Sequence, residues 1–340
     1  MTSAPTPAPH PARATRPDEG PAPADSPSGG GRPPRAAGRA ARPRRARREN
    51  LAGYLFMSPW IAGFLLLTAG PMVASLYFAF TDYNLFDAPR WIGLDNFTEM
   101  FGDPRWRTSV EITGWYVVIG TPLKLAAALG VALLLNQSRR GQGFYRAAFY
   151  APSLIGASVS IAIVWRAIFS DGAAVDRTQQ LFGMDAGGWI GDPDRIIYAL
   201  VALTVWQFGA PMVIFLAGLK QVPRELYEAA QVDGASPWRR FWHITLPMIS
   251  SVLFFNVLLE TIHSFQIFGS AYIIGSQGNA CGPADGTLVY TCYLYIQGFE
   301  NSRMGLASAM AWMLLLAVGL VTAVLFWSQR RWVHYEEGAR

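Results

Sequence analysis

The apolar residues of this 340-residue chain are gathered into six long blocks rather than alternating with polar residues. A membrane span needs about 20 mostly apolar residues, and backbone groups in lipid must be paired within their own segment, so each block predicts a transmembrane helix. The blocks are too long for the strands of a membrane β-barrel. They cover residues 54–80, 113–135, 148–169, 196–219, 246–274 and 305–327. The pattern therefore predicts an all-α, polytopic membrane protein with six transmembrane helices.

Composition supports this class and separates the first 50 residues from the rest. Hydrophobic residues make up 51% of the chain and charged residues 15%, against roughly 25% charged residues in average soluble domains. Residues 1–50 are dominated by Pro, Ala, Gly and Arg and are predicted to form a disordered tail, which leaves residues 51–335 as the membrane domain. The tail ends in the basic run Arg42–Arg48, interpreted as a flank that binds anionic membrane lipid rather than nucleic acid.

The placement of basic residues predicts the orientation. With the N-terminus inside the cell, the inner segments hold twenty Arg and Lys residues and the outer segments six. Loops rich in Arg and Lys stay on the cytosolic side. We therefore expect a multi-pass protein of the cytoplasmic membrane with both termini in the cytosol, including residues 336–340. The polar loop over residues 220–247, between the fourth and fifth blocks, is expected in the cytosol too.

That polar loop has the pattern of a helix, a tight stop and a second helix. Pro223 suits the start of a helix, and Gly234 suits the left-handed residue that ends one. Ser236 is a suitable cap for the second helix. One face of this helix carries the aromatic residues Trp238, Phe241 and Trp242. The loop is either an amphipathic anchor on the membrane surface or a docking face for another protein, and its small Ala residues favour docking.

The same loop resembles the cytoplasmic loop of permease subunits of ATP-binding-cassette (ABC) importers. It has the pattern E-A-A-x-x-D-G-A from Glu228 to Ala235, followed by F-x-x-I-x-L-P up to Pro247. Further stretches resemble carbohydrate-uptake permeases of the maltose and glycerol-3-phosphate type. They are Trp91–Phe97, Ser264–Phe268 and Gly305–Ala309. The similarity runs from about residue 54 to residue 335, and the turn over residues 277–286 departs from the G-G-P pattern of the family.

The resemblance implies a type I ABC importer permease fold and a set of partners. These are a second permease subunit, two copies of an ABC ATPase, an extracellular solute-binding protein or lipoprotein, and membrane lipid. The implied substrate is a mono- or oligosaccharide, or a related polyol or glycerol phosphate. It assigns coupling to the ATPase to Glu228, Ala229, Ala230, Asp233, Gly234, Ala235, Leu246 and Pro247.

The chain itself is expected to bind no cofactor and not to be an enzyme. It has two lysines, Lys124 and Lys220, and neither lies in a Walker A phosphate-binding loop. ATP and Mg²⁺ are therefore expected on the separate ATPase subunit. Lys124, inside the second block, is interpreted as a snorkelling or paired side chain.

Polar residues inside the apolar blocks suggest a path for the sugar. Such residues are costly in a membrane and commonly face a cavity, while the alternative role is interhelical hydrogen bonding worth about 0.6 kcal/mol each. Aromatic faces at Trp206, Phe265 and Phe268 lie nearby in the sequence. The predicted pathway residues are Gln207, Asn256, Glu260, His263 and Gln266.

The cysteines and histidines predict no metal site. The four His residues are widely scattered, so a ligand cluster is not expected. Cys281 and Cys292 lie in or near the last outer loop. From the sequence, a disulfide between them and two unpaired thiols are both open alternatives.

Three alternative functions remain. The first is an ABC permease for a non-sugar solute such as a polyamine or a peptide, against which the fifth- and sixth-block motifs argue. The second is a membrane-embedded enzyme, which needs ionisable groups converging from separate spans. The third is a secondary transporter built from inverted repeats, for which the two halves do not match.

Overall fold

The computed structural model describes residues 43–137, 141–156, 158–183, 187–275 and 281–333. Within them the one sheet is an antiparallel pair of two-residue strands, β1 (Thr81–Asp82) and β2 (Arg90–Trp91), with Thr81 opposite Trp91. The other regular elements in these ranges are helices. The predicted all-α class is confirmed.

The helices follow in chain order. The first eight are α1 (Pro43–Phe64), α2 (Gly70–Phe78), α3 (Asp95–Gly102), α4 (Pro104–Asn136), α5 (Gln142–Ile155), α6 (Val159–Phe169), α7 (Ala174–Leu181) and α8 (Ile196–Trp206). The others are α9 (Gly209–Leu219), α10 (Arg224–Val232), α11 (Pro237–Arg240), α12 (Leu246–Met248), α13 (Ser250–Phe265), α14 (Gly269–Gly275), α15 (Tyr290–Tyr295) and α16 (Met304–Gln329). Single π-helical turns lie at Leu65–Ala69, Phe241–Thr245 and Ile296–Glu300, and a 3₁₀ turn at Pro283–Asp285.

Among the described residues, three helical segments are each long and apolar enough to cross a membrane: Gly53–Phe78, Pro104–Asn136 and Met304–Gln329. Three further pairs of helices meet the same test when each pair is taken together. These are α5 with the segment Val159–Leu181, α8 with α9, and Pro237–Met248 with α13. Counting each pair as one span gives up to six, the number that the sequence predicts.

The helix limits differ from the predicted blocks where local chemistry overrides hydropathy. Helix α4 begins well before the predicted start at Thr113, because Asp103 accepts a hydrogen bond from the Arg105 N–H at 2.9 Å and Pro104 occupies the first turn. The fourth block is bent by 42° between α8 and α9. The fifth is interrupted, because α13 ends at Phe265 and α14 is a separate short helix.

Contacts divide the chain into two units, residues 1–62 and residues 63–340. In the first unit, residues 1–42 lie outside the described range, and α1 begins at Pro43, inside the basic run that the sequence places in the tail. The apolar side chains from Tyr54 to Trp60 are exposed, and Phe56 reaches 89%. The part of this unit that the structure describes is thus a single helix with an uncovered apolar surface.

Two clusters of buried side chains stabilise the second unit. The Leu200 cluster brings together α4, α8, α14, α15 and α16 and includes Tyr116 and Met310. The Phe215 cluster lies mainly between α4 and α9 and includes Leu125. A Cβ atom at Gly218 would lie 2.9 Å from the Val252 side chain, so this glycine permits the close approach of α9 and α13. Helix α4 takes part in both clusters.

The segment before α15 is held in place by covalent and ionic links. Cys281 and Cys292 form a disulfide, which decides between the two alternatives left open by the sequence. Arg105 on α4 donates to both carboxylate oxygens of Asp285, at 2.6 and 3.0 Å. Burial raises the pKa of Tyr293 on α15 to about 12, so this phenol stays neutral at physiological pH.

Candidate functional site: a polar elbow and a polar cavity

The helix–stop–helix arrangement predicted between the fourth and fifth spans is present, and we call residues 220–248 the elbow. Helix α10 follows Pro223 and ends at Val232, and Gly234, whose φ is +74°, lies two residues further on. The Ala235 N–H donates to the Ala230 carbonyl at 2.9 Å and the Gly234 N–H to the Gln231 carbonyl at 3.1 Å. This is the Schellman arrangement of a helix end, so the small residues of the motif form an ordered turn.

The second helix of the elbow begins at the predicted cap. The Ser236 hydroxyl accepts a hydrogen bond from the Arg239 N–H at 3.3 Å. The Trp238 ring centroid lies 6.1 Å from that of Phe241 and 5.7 Å from that of Trp242. The predicted aromatic face is therefore confirmed.

The residues predicted to couple to an ATPase are accessible on this elbow. The Tyr227 hydroxyl lies 2.9 Å from the Thr245 hydroxyl and links the two helices. The accessible residues of the elbow therefore lie on helices that are connected to each other by a side-chain contact. Four of the predicted residues, Glu228, Ala229, Asp233 and Gly234, are exposed, and the other four, Ala230, Ala235, Leu246 and Pro247, are partly buried.

Two apolar side chains beside the motif are also exposed. Val232 is 88% exposed and Trp238 is 70% exposed. Exposed apolar groups in a polar surround are a feature of protein-binding surfaces. Val232 is not among the residues predicted from the sequence, although it is an apolar residue at the end of an otherwise polar helix, which is a recognisable pattern.

Leu246 and Pro247 lie on the elbow side of a sharp bend that precedes α13. The helical segment Pro237–Met248 is bent by 71° from α13. Ile249, with φ −93° and ψ 10°, leaves helical geometry at the junction. The predicted fifth block, residues 246–274, therefore contains a bend just before Ser250.

The second site is a cavity of about 310 Å³ in the second unit, which we call the polar cavity. Its size lies at the lower end of the range of small-molecule sites, roughly 300–1,000 Å³. Helices α4, α8 and α13 supply most of its polar lining. The polar side chains that line it include Tyr116, Lys124, Thr204, Gln207, Glu260, His263 and Ser264.

The cavity brings together three of the five predicted pathway residues, Gln207, Glu260 and His263. Asn256 is buried elsewhere and donates to the Val252 carbonyl of its own helix at 3.1 Å. Gln266 is exposed just beyond the end of α13 and does not line the cavity. The cavity thus follows only the middle of the polar stripe, because α13 ends before the stripe does.

Of the aromatic residues near the predicted path, one reaches the cavity. Phe268 lines it. Trp206 and Phe265 instead pack against the Leu200 cluster, with the Trp206 ring 5.6 Å from that of Trp165.

An ion pair crosses the polar cavity wall between two helices. Lys124 Nζ on α4 lies 2.7 Å from Glu260 Oε2 on α13, and the two side chains are only 13% and 9% exposed. Lys124 is therefore paired, one of the two roles that the sequence suggested.

Two hydroxyl contacts lie close to the pair. The Tyr116 hydroxyl is 2.6 Å from that of Thr204, and the Thr121 hydroxyl is 2.9 Å from that of Ser264. Tyr116, Thr204 and Ser264 line the cavity without having been predicted from the sequence. They are single polar positions in separate blocks, and only the packing of α4, α8 and α13 shows that they meet.

In the part of the chain that the structure describes, no group of three or more His, Cys, Asp or Glu side chains could hold a metal ion. The polar cavity is therefore a site built from hydroxyl, amide and paired ionic groups.

The fold and the elbow together define a helical membrane transport subunit, and comparison with known sequences places it in a family. The profile described as "Binding-protein-dependent transport system inner membrane component" matches residues 124–333. The chain belongs to this family. The match includes the whole elbow and every polar residue of the cavity except Tyr116.

Individual relatives agree with this assignment. The chain is 49% identical to the probable ABC transporter permease protein YesP of Bacillus subtilis, over 86% of this chain and 95% of that one. It is 27% identical to the lactose transport system permease protein LacF of Rhizobium radiobacter, over 84% and 96%. In structure it is similar to a chain of a bacterial alginate ABC transporter crystallised with an alginate pentasaccharide-bound periplasmic protein. That match has a TM-score of 0.70, 20% identity and coverage of 85% and 98%. The predicted type I importer permease fold is confirmed.

Proposed function

We propose that this chain is the subunit through which an ATP-driven importer moves a carbohydrate across the cytoplasmic membrane. The sugar is delivered by an extracellular solute-binding protein. Similarity to a lactose permease supports a sugar as substrate. The polar cavity supports it as well, because hydroxyl and amide groups from three helices converge there.

The observation that carries the coupling role is the elbow. Its E-A-A-x-x-D-G-A residues are presented on an ordered helix end, next to the exposed side chains of Val232 and Trp238. Such a surface suits a groove on a separate ATPase subunit. Closing of the ATPase on ATP then moves the elbow, and the bend at Ile249 passes this motion to α13 and Glu260. Coupling of this kind requires an element with two conformations whose equilibrium is shifted both by the ATPase and by the solute in the cavity.

The remaining partners follow from this role. A second permease subunit completes the translocation path, and two ATPase copies hold ATP and Mg²⁺. The chain itself binds neither, and is a transport component and not an enzyme. Both termini and the elbow lie in the cytosol.

Reconstitution of the assembled importer tests the proposal. The complex in proteoliposomes, with its solute-binding protein, should accumulate a radiolabelled sugar such as lactose or maltotriose only with ATP. Glu228→Lys should abolish both copurification of the ATPase and uptake. Glu225→Lys makes the same charge change in the first turn of α10 and should leave both near normal. ATP-independent uptake, or normal uptake by the Glu228→Lys variant, contradicts the proposal.

A further inference from the structure

The Lys124–Glu260 pair has hydrogen-bonding capacity left over. An ammonium group has three donors and a carboxylate has two acceptor oxygens. Their contact uses one N–H and Oε2. Within the described residues neither group makes another hydrogen bond or ion pair. The pair therefore offers further donors from Lys124 and the free Oε1 of Glu260.

The formal charge of the cavity wall is zero. Lys124 and Glu260 are the charged residues among those lining it, and they neutralise each other. His263 and Tyr116 are the other titratable groups that line it, and of these His263 is exposed and Tyr116 buried. A cavity whose charged groups neutralise each other differs from a cation-binding site, which would present a single unpaired carboxylate.

We propose that the Lys124–Glu260 pair sets the charge preference of the importer, admitting uncharged, hydroxyl-rich solutes and rejecting anions and cations. A sugar hydroxyl can accept from Lys124 and donate to Glu260 while the pair stays intact. A charged solute is attracted by one partner and repelled by the other. If it captures one partner, the other is left as an unpaired charge in a buried position, which is strongly unfavourable. This inference rests on the proposed function and adds a substrate class to it.

The fold by itself does not determine this preference. A structure with the same fold belongs to a transporter crystallised with an alginate-loaded binding protein, and alginate is an acidic polysaccharide. The shared fold therefore leaves room for individual side chains of the path to select charge, and the buried pair is the charged element of this cavity.

The experiment compares three forms of one sugar that differ in charge. Lactose, maltotriose and arabinotriose are screened with the wild-type complex in proteoliposomes. The best substrate is then converted to its aldonate, its reductively aminated derivative and, as the matched neutral form with the same opened end, its alditol. Uptake rates are divided by the measured occupancy of the solute-binding protein. If that protein does not bind the charged forms, binding of all three labelled forms to the solubilised complex is compared instead. The neutral form should exceed both charged forms by at least about tenfold.

Variants of the pair should change this preference in opposite directions. Glu260→Gln leaves a positive wall and should raise the aldonate-to-neutral ratio at least about tenfold. Lys124→Gln leaves a negative wall and should raise the ratio for the aminated form instead. The double variant removes both charges, so no partner is left unpaired when a charged solute enters, and both charged-to-neutral ratios should rise above their wild-type values. Arg146→Gln removes one positive charge outside this cavity and should leave every ratio unchanged.

The outcomes separate this inference from the proposed function. If the wild type moves no sugar, the proposed function is wrong and the inference falls with it. If it moves sugar but the ratios are the same in all variants, only the charge role is wrong. If the single variants do not assemble into the complex, the charge role is tested by comparing the charged-to-neutral ratios of the wild type and the double variant. Charged forms transported by the wild type as fast as the neutral form would overturn the proposal.

Discussion

At the scale of single residues, Gly234 determines the shape of the elbow. Its φ of +74° is a conformation that side chains with a Cβ rarely adopt, yet a Cβ there would meet nothing within 4 Å. The constraint is therefore one of backbone geometry and not of space. The sequence indicated this role through the position of the glycine after a helix-forming stretch, and the two Schellman hydrogen bonds confirm it.

Substitutions at Gly234 should therefore rank by their tolerance of the left-handed conformation. Gly234→Asn should keep most of the uptake, because Asn visits this region, and Gly234→Ala should lose more, at a local cost of about 1–2 kcal/mol. Gly234→Pro should abolish uptake, since its ring requires φ near −65°. The measurement is uptake in vesicles with equal amounts of inserted subunit. Equal uptake by the Asn and Pro variants would show that the turn geometry is not needed.

At the scale of elements, the disulfide connects the start of the 281–289 segment to α15. Cys281 and Cys292 are separated by 11 residues and are both fully buried. Four residues of this segment, Cys281, Gly282, Ala284 and Asp285, have positive φ. Such a backbone is unfavourable unless surrounding links hold it, and the disulfide and the Arg105–Asp285 pair supply those links.

Replacement of both cysteines by alanine should destabilise this segment. A disulfide closing a loop of this size typically contributes about 2–4 kcal/mol, so the variant complex should have a lower Tm than the wild type. Reductant under denaturing conditions should impair refolding of the wild type and have no effect on the variant. An unchanged Tm would mean that the surrounding contacts hold the segment without the bond.

At the scale of the whole molecule, the orientation in the membrane decides whether the elbow can meet an ATPase. The disulfide leaves no free thiol among the described residues, so a single introduced cysteine reports one position. Ser236→Cys should react with an impermeant maleimide only from the cytosolic side, and Asp87→Cys only from outside. Both positions are exposed. A reversed pattern would contradict the orientation and the docking proposal together. Asp185, another predicted outer position, lies outside the described residues.

Another whole-molecule prediction concerns the N-terminal tail. Deletion of residues 2–38 keeps the basic run Arg42–Arg48, which is the orientation signal. We expect near-normal uptake, since the composition of the deleted stretch cannot support a packed core. A large loss of uptake at an unchanged membrane level would instead reveal a regulatory role for the tail.

The sequence by itself determined the properties that depend on residues close to one another along the chain. Block length predicted the helical class, and the order of Pro223, Gly234 and Ser236 predicted the elbow, because caps and helix stops are local. The aromatic face from Trp238 to Trp242 followed from helical periodicity alone.

Only the tertiary structure decided which distant positions meet. Lys124 and Glu260 are 136 residues apart in the sequence, and this separation alone does not indicate a contact. Their pairing follows from the packing of α4 against α13. The same packing brought Gln207 and His263 to the cavity and left Asn256 and Gln266 outside it. The bends at Gln207 and Ile249 could not be predicted from hydropathy either, because hydropathy measures how apolar a segment is and not the direction in which its helix runs. Contacts between helices depend on the complementary shapes of several surfaces at once, and no single stretch of sequence contains that information.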